Sequence, residues 1–276
     1  AKPTTSDEER RFAAAVGEVL ANRVAVPRRL SRAARRRATT TDLTGLDEPM
    51  ERFFVSRIGL RLLVEHYLSA RERDGRGEID AACRPGAIAQ EAATIARDLC
   101  RADLGDAPEV EVKGDLDAAF TYAPSHCRYV LLEVIKNSCR ATAEFHAGTT
   151  LPPVTVFVVA GDEDFSIKVA DLGGGCTRTE AKLAWSWFHS KYPIPRDDDT
   201  SEAAYANDPS LALTSGWGIG LPLSRAYCRY FGGDLRLRAL QGYGLDAYIF
   251  FSRLGFECEN LPTRVRSSPS SRDSTL

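Results

Sequence analysis

The sequence predicts an α+β protein in which an N-terminal helical bundle precedes an α/β sandwich. Residues 6–104 carry apolar side chains at helical spacing without a strand pattern, whereas residues 109–262 alternate strand patterns with helices. We therefore expect a helical domain at 1–106, a mixed domain at 107–262 and a polar, disordered tail at 263–276.

Three helices are predicted in the first part. Ser6 precedes an acidic first turn, which is typical of a helix N-terminus. Residues 48–71 repeat apolar side chains near helical spacing. A third helix has Pro85 near its start and Gly105 after its end. We expect no strand among these helices, so a bundle is the natural arrangement.

Strand and helix patterns alternate in the second part. Strands are predicted at 109–115, on both sides of the Gly-Asp-Glu-Asp turn at 161–164, and on both sides of the Gln-Gly-Tyr-Gly turn at 241–244. Helices are predicted from Ser125 to His146, from Thr179 to Phe188, and from Leu221 until Gly232 and Gly233 stop the helix. The stretch from Tyr192 to Thr214 has little periodicity.

Composition excludes several classes of protein. The 36 basic and 38 acidic residues give a net charge of −2, so we expect no nucleic acid partner. The basic stretch at 28–41 is better explained as a solvated helix face or a linker than as a docking surface for an acidic partner. No apolar run has the length of a membrane span.

The seven cysteines lack CxxC pairs and zinc-ligand spacing with histidine, so we expect neither a disulfide framework nor a metal site built from them. A reducing compartment fits this cysteine pattern. The sequence starts at Ala1 without a methionine, and we expect a mature or trimmed form.

Three segments carry candidate chemistry. On a helix, Glu133, Asn137 and Arg140 form one polar stripe that could hold a proton acceptor beside a cation ligand. Taken alone, the stripe is better explained as the wet face of an amphipathic helix. Asp171 ends an apolar strand and is followed by three glycines, so its carboxylate could accept an exocyclic amine while the glycines let the backbone approach a flat ring.

The third segment, "GWGIGLP" at 216–222, is a glycine-rich turn that enters a helix. Backbone N–H groups in such a turn can bind phosphate, helped by the positive end of the helix. A P-loop would need Gly-Lys-Ser/Thr, but Leu221 and Pro222 follow the last glycine. A dinucleotide fingerprint would need different glycine spacing and a preceding strand. With these two motifs excluded, the sequence predicts a phosphate-binding loop of another type.

The order of these segments resembles the ATP-binding domain shared by gyrase, heat-shock chaperones, mismatch-repair ATPases and histidine kinases. The stretches "SRIGLRLLVEHYL", "APSHCRYVLLEVIKNSCRAT", "FSIKVADLGGG" and "GWGIGLPLSRAYCRYFGGDLRL" resemble the mitochondrial protein kinases, which comprise pyruvate dehydrogenase kinase and branched-chain α-ketoacid dehydrogenase kinase. The resemblance covers nearly all of residues 50–262. It implies an α/β sandwich ATPase domain of the gyrase and histidine kinase type.

The resemblance assigns roles residue by residue. Glu133 would be the general base, Asn137 would bind Mg²⁺, Asp171 would bind the adenine amino group, and residues 190–215 would form a mobile lid. The implied ATP-binding residues are Lys136, Asn137, Arg140, Asp171, Gly173, Gly175, Ser190, Lys191, Gly216, Trp217, Gly218, Ile219, Gly220 and Leu221.

The implied function is ATP-dependent serine phosphorylation that inactivates the pyruvate dehydrogenase complex in the mitochondrial matrix. The implied partners are the dehydrogenase subunit as substrate, the lipoyl domain of the acyltransferase as docking site, and a second copy in a homodimer. Two alternatives stay open, namely a branched-chain α-ketoacid dehydrogenase kinase and a catalytically weak nucleotide-binding scaffold. A histidine autokinase that uses His66 is a less favoured alternative, because His66 lies on an apolar helix.

Four departures from the family pattern bear on these expectations. Tyr129 replaces a histidine found before the glutamate in several members, Leu245 replaces a threonine near adenine, and Lys191 replaces a threonine. Few residues separate Arg37 from Met50, so we expect a shortened or incomplete bundle.

Overall fold

A computed structural model describes residues 5–22, 26–38, 44–73, 75–162, 164–192 and 218–253. The predicted tail at 263–276 and most of the predicted lid lie outside these residues. In the described part of the chain, no helix combines the length and apolar character needed to cross a membrane.

The predicted N-terminal helices are confirmed. Helix α1 spans Ser6–Asn22, α2 spans Val26–Ala38, α3 spans Asp47–Glu72 after a short 3₁₀ turn, and α4 spans Pro85–Leu104. Most of the basic stretch is therefore helical, in α2. Helix α4 begins with Pro85 and ends at Gly105 in the left-handed conformation, as the sequence indicated.

The expectation that this region contains no strand is wrong. Strand β1, Asp80–Cys83, pairs antiparallel with β3, Phe120–Tyr122, which the sequence also did not predict. Both strands are short, and three of the four β1 side chains are exposed. Such a strand carries little alternation, so its pairing depends on a distant partner rather than on a local pattern.

A five-stranded mixed sheet forms the second part. Its strands are β2 (Val110–Gly114), β4 (Val154–Ala160), β5 (Asp164–Asp171), β6 (Asp234–Leu240) and β7 (Gly244–Ser252). The spatial order is β2-β4-β5-β7-β6, with β2 parallel to β4 and all other neighbours antiparallel. The α+β class is therefore confirmed. The proposed boundary between 106 and 107 stays a prediction.

Helices cover one face of the sheet. Helix α5, Pro124–Phe145, packs on β5 and β4, with α4 on one side and α7, Gly220–Tyr230, on the other. The sheet contributes alternating buried side chains such as Phe165, Ile167 and Val169. Because α5 is sandwiched between two helices and the sheet, side chains around most of its circumference are buried.

Helix α6 is shorter than predicted. It spans Arg178–Leu183, where Thr177 and Glu180 form a capping box, whereas the sequence predicted a helix as far as Phe188. The chain leaves the helix because the Trp187 amide and the Ser186 hydroxyl donate to the Asp47 carboxylate of α3.

Asp234 joins α7 to the sheet and to α3. Its carboxylate accepts from Arg225 and Arg229, at 2.9 and 3.1 Å, and from Arg236, while Arg229 also pairs with Glu51 of α3. Burial would raise the pKa of Asp234, but hydrogen bonds and charge from Arg225, Arg236 and Arg229 lower it from 3.8 to about 2.

We predict that Asp234→Asn lowers the free energy of unfolding by about 1–2 kcal/mol at neutral pH, after allowance for solvent screening. A lowered pKa stabilises the fold above the unfolded value, and this contribution disappears as pH falls toward 2. Urea unfolding between pH 7 and pH 3 should therefore show the gap between wild type and variant shrinking below about pH 4.

Asp98→Asn is the matched control for that measurement, since Asp98 forms an exposed pair with Arg101 on α4. It should change stability by less than about 0.5 kcal/mol. An equal loss in both variants would contradict the role given to Asp234.

Candidate functional site

A cleft of about 360 Å³ opens between α5, the β5–α6 loop and the start of α7. Its lining includes most of the predicted site residues: Glu133, Lys136, Asn137, Arg140, Asp171, Gly173, Gly175, Ser190, Lys191, Gly218, Gly220 and Leu221. Gly216 and Trp217 lie outside the described residues. The Ile219 side chain does not line the cleft, because it is fully buried in the core.

Glu133 is a buried carboxylate that pairs with Lys136. Its side chain is 3% exposed, and its Oε1 accepts from the Nζ of Lys136 at 2.9 Å. Burial raises the pKa of Glu133, and the Lys136 ammonium opposes that rise. A wet helix face is therefore excluded for Glu133, since the residue is held inside the protein.

The start of α7 lies directly against this carboxylate. A Cβ placed on Gly220 would lie 2.3 Å from Oε2 of Glu133, so a larger residue there would displace this carboxylate. Gly218 has a positive φ of 76°, and a Cβ there would meet the His189 carbonyl at 2.7 Å. Helix α7 thus points its N-terminus into the cleft beside Glu133.

Asp171 marks the other end of the cleft. Its Oδ1 accepts from the Gly173 amide at 3.0 Å and the Leu245 amide at 3.2 Å, and the Ser138 hydroxyl also donates to the carboxylate. Burial raises the pKa of Asp171, and these three donors oppose the rise. The donors fix the carboxylate in one orientation and leave acceptor capacity facing the cleft.

The three glycines after Asp171 have structural reasons to be glycine. Gly173 lies against the backbone of α5 at Ala141, where a Cβ would approach within 2.7 Å. Gly175 has φ +59°, and a Cβ there would lie 2.3 Å from the Leu240 carbonyl. Gly174 exchanges backbone hydrogen bonds with the β6–β7 turn through Tyr243 and Gly242. The glycine run therefore joins α5 to the β6–β7 hairpin and forms part of the cleft wall.

Arg140 and Lys191 share one carboxylate on the outer wall of the cleft. Glu144 accepts from Arg140 at 3.0 Å, from Lys191 at 3.2 Å and from the Tyr192 hydroxyl at 2.9 Å. The Arg140 guanidinium also lies 4.2 Å from the centre of the Tyr192 ring. This network attaches residues 191–192 to α5, and the lysine that departs from the family pattern is part of it.

Sequence reasoning missed several residues of the cleft. Ser138 is 3% exposed and holds Asp171, yet it follows Asn137 in the sequence without a signal of its own. The other missed lining residues include Leu99, Asp103, Cys176, Leu237 and Ala247. They come from α4, the β5–α6 loop and the sheet, so only the tertiary fold brings them to the cleft.

Of three further positions discussed in the sequence analysis, Tyr129 and Leu245 lie close to the site, and His66 does not. Tyr129 is buried one turn before Glu133, and burial, followed by the charge of Glu133, raises its pKa well above the ordinary value. Leu245 gives its backbone amide to Asp171. His66 accepts a hydrogen bond from the Glu78 amide at 3.1 Å, in the α3–β1 connection, and does not line the cleft.

These features define the class: an α+β protein with a charged, glycine-walled cleft between a helix layer and the end of a mixed sheet. No protein-family model matches the chain. The chain is 36% identical over 227 residues to the mitochondrial pyruvate dehydrogenase (acetyl-transferring) kinase of Arabidopsis thaliana, with 80% of this chain and 61% of the relative covered.

Other relatives agree with that similarity. The Schizosaccharomyces pombe mitochondrial kinase of the same description is 38% identical over 219 residues, which cover 76% of this chain and 50% of the relative. Human pyruvate dehydrogenase kinase isozyme 4 is 35% identical over 233 residues, with 79% and 54% covered. The chain belongs to the pyruvate dehydrogenase kinase family, and it spans about half to three fifths of the length of these relatives.

The packing of the glycine run yields a stability prediction. Gly175→Ala should lower the free energy of unfolding by about 2 kcal/mol or more, because the new Cβ meets two carbonyl oxygens and φ is positive. Gly45→Ala is the control, since no atom lies within 4 Å of a Cβ placed there. Chemical denaturation of both variants measures the difference, and equal stability would contradict the packing described.

Proposed function

We propose that this chain is an ATP-dependent serine kinase that phosphorylates and thereby inactivates the pyruvate dehydrogenase complex. The observation that supports it most is the buried Glu133–Lys136 pair, 2.9 Å apart, directly beside the glycine start of α7. This arrangement puts a proton acceptor, a cation and the positive end of a helix at one place in the cleft.

The Asp171 end suits an adenine ring. The oriented carboxylate of Asp171 can accept a hydrogen bond from the exocyclic amine of adenine. The side chains of Leu237, Leu245 and Ala247 supply apolar surface for the faces of the ring. Gly173 and Gly175 leave room for a flat ring to approach the backbone. We infer that adenine binds here, although the threonine of the family is replaced by Leu245.

The α7 end suits the phosphates. The first amides of α7 have no partner within the helix, and residues Gly218, Gly220 and Leu221 line this part of the cleft. Lys136 and Arg140 of α5 add positive charge to the cleft. Gly216 and Trp217 would continue the loop outside the described residues. Ser190 and Lys191 would contact the nucleotide from the start of the lid.

The donor set also fits one divalent cation. Asn137 lines the cleft one turn after Glu133, and its amide oxygen can serve as one ligand, while phosphate oxygens and water suit the rest of a Mg²⁺ shell. Bound Mg²⁺ would neutralise charge on the transferring phosphoryl group. We propose Asn137 as the only Mg²⁺ ligand that the chain supplies among the residues described.

Glu133 would act as the general base. The substrate serine hydroxyl loses its proton to Glu133 as its oxygen bonds to the γ-phosphorus, and the bond from that phosphorus to ADP breaks. Burial raises the pKa of Glu133 toward the range in which a carboxylate accepts a proton effectively. General base catalysis contributes about 10²- to 10⁴-fold in rate. Lys136 would hold the carboxylate in place.

We further propose that the mixed domain has the ATPase fold of gyrase and histidine kinases. A helix layer on one face of a mixed sheet, with the cleft between that layer and the strand ends, supports the assignment. The relatives are named mitochondrial pyruvate dehydrogenase kinases, so we propose a mitochondrial matrix location and favour pyruvate over branched-chain dehydrogenase as substrate. The lipoyl domain would dock on the helical part.

We propose a homodimer through the open face of the sheet. Phe157 and Val159 of β4 are 46% and 43% exposed on the face away from the helices, and Tyr248 and Phe250 of β7 lie on the same side of the sheet. Apolar side chains on an uncovered sheet face favour association with a second surface.

Two substitutions that keep the size and shape of the original side chain distinguish the proposed role in catalysis from the proposed role in binding. Glu133→Gln should keep ATP affinity within about threefold while phosphate transfer falls about 10²-fold or more, because the amide oxygen can still accept a hydrogen bond from Lys136 but cannot act as the base. Asp171→Asn should weaken ATP binding about tenfold, because an acceptor for the amine becomes a donor. Calorimetric titration with Mg-ATP and labelled-phosphate transfer to the purified complex measure both effects.

The same assay distinguishes the alternatives. Tight ATP binding without any transfer to pyruvate or branched-chain dehydrogenase complex would favour a regulatory scaffold. Preferred transfer to the branched-chain complex would reassign the substrate. Equal loss of binding and transfer in Glu133→Gln would contradict the role of Glu133 as base.

Phe157→Asp tests the dimer. The new charge should make the protein monomeric in sedimentation velocity at micromolar concentration, because an unpaired carboxylate would be buried in the interface. Tyr243→Asp is the control, since Tyr243 is 63% exposed in the β6–β7 turn and lies off that face. A Phe157→Asp dimer of unchanged affinity would overturn the proposed interface.

A further inference from the structure

The first turns of α3 are attached to the segment that forms one wall of the cleft. Asp47 Oδ1 accepts from the Trp187 amide at 3.0 Å and from the Ser186 hydroxyl at 3.2 Å. Two turns along α3, the ring of Phe54 stacks on the ring of Trp187 at a centroid distance of 4.4 Å and an angle of 6°. The contact joins residues about 140 positions apart in the sequence.

This attachment is built into the core. Phe54 is 1% exposed and Trp187 is 3% exposed, so the stacked rings are shielded from water. The Ser186 hydroxyl also accepts from the Phe188 amide at 3.3 Å, which forms a tight turn there. Aromatic pairs of this kind contribute beyond their buried area, and hydrogen bonds to a carboxylate are stronger than neutral ones.

The chain enters the cleft immediately after this turn. His189, Ser190, Lys191 and Tyr192 all line the cleft. The His189 carbonyl and the Ser190 Cβ lie so close to Gly218 that a Cβ there would come within 2.7 Å of each. The wall segment, residues 189–192, is therefore held at its root by α3 and rests on the glycine loop.

A second connection from α3 reaches the last turn of α7, the helix that follows the glycine loop. Glu51 pairs with Arg229 at 3.2 Å, and Arg229 also pairs with Asp234, so α3 is fixed to α7. Helix α7 begins at Gly220 beside Glu133. One helix of the N-terminal part thus contacts both elements that surround the phosphate end of the cleft.

We propose that Asp47 is a positioning residue for the nucleotide site: through Trp187 and Ser186 it sets the place of the wall segment and thereby the affinity for ATP. The inference depends on the proposed ATP site. It goes further by assigning a residue outside the cleft, in the helical part of the chain, to nucleotide binding. Asp47 does not itself line the cleft.

The test compares three single variants in the full chain. Asp47→Ala removes both acceptor bonds, whereas Asp47→Asn keeps an oxygen that can accept them. Glu48→Ala is the matched control, because Glu48 is also an acid in the first turn of α3 but, within the described ranges, pairs with Arg52 at the surface, where its side chain is 75% exposed. Titration calorimetry with Mg-ATP gives the dissociation constant for each.

We expect Asp47→Ala to bind ATP about 5- to 10-fold more weakly, while Asp47→Asn and Glu48→Ala stay within about twofold of wild type. The KM for ATP should rise in the same ratio, with kcat changed less than about twofold, because the catalytic groups stay in place. Faster amide hydrogen exchange in residues 184–192 should accompany the loss only in Asp47→Ala.

Ser186→Ala supplies a second variant if Asp47→Ala folds poorly, since it removes the Ser186 bond to Asp47 together with the Phe188 amide bond to Ser186, and leaves the Trp187 amide bond to Asp47 in place. It should weaken ATP binding about two- to threefold. An unchanged dissociation constant in a folded Asp47→Ala or Ser186→Ala protein whose 184–192 amides exchange faster would overturn the inference while the ATP site stands. A wild-type protein that binds no ATP would overturn the proposed function and this inference together.

Discussion

The burial of α5 is the constraint on which the rest of the structure depends. A helix that is enclosed by two other helices and a sheet cannot present a carboxylate to its surroundings at low cost, because an unpaired buried charge is strongly destabilising. Glu133 is tolerated there because Lys136, one turn away, supplies a cation at 2.9 Å. The same helix carries Ser138, whose hydroxyl donates to Asp171, so α5 contributes a contact at both ends of the cleft.

Four glycines let the backbone segments that form the walls of the cleft pack closely around α5. Glycines at 173, 175, 218 and 220 each lie where a Cβ would meet a neighbour at 2.7 Å or less. Their contribution to the cleft is therefore mainly to let α5, the β6–β7 hairpin and the start of α7 approach one another. A side chain at any of these positions would therefore have to displace a neighbouring element of the cleft wall or the Glu133 carboxylate.

The sequence predicted the long elements well and the short ones poorly. Helices α3, α4 and α5 and strands β4 to β7 are long runs of apolar-rich sequence, and α4 is also marked by Pro85 at its start and by Gly105 after its end. Strands β1 and β3 are short and pair with each other over a long sequence separation. After the end of α6, the Trp187 amide and the Ser186 hydroxyl donate to Asp47, which lies far away in the chain. Local patterns contain no information about such partners.

Site residues could be predicted where a polar residue or a glycine run interrupts an apolar pattern. Asp171 at a strand end, followed after Leu172 by three glycines, is such a case. Ser138 and Leu237 give no such signal and were found only through the fold. Ile219 was assigned to the cleft because of its neighbours in the glycine loop, but its side chain is part of the core. Neighbouring side chains in this glycine-rich turn point in different directions. Assigning every residue of the motif to the site therefore also includes a core residue such as Ile219.

Among the strands in the described ranges, β6 has one hydrogen-bonded neighbour, β7, and lies at an edge of the sheet. Its free edge could pair with a strand of another molecule, which is a common route to aggregation. Arg236 and Arg238 are exposed along this strand, and two like charges brought beside a second copy of themselves would repel. These charges oppose lengthening of the sheet at the β6 edge by strand addition.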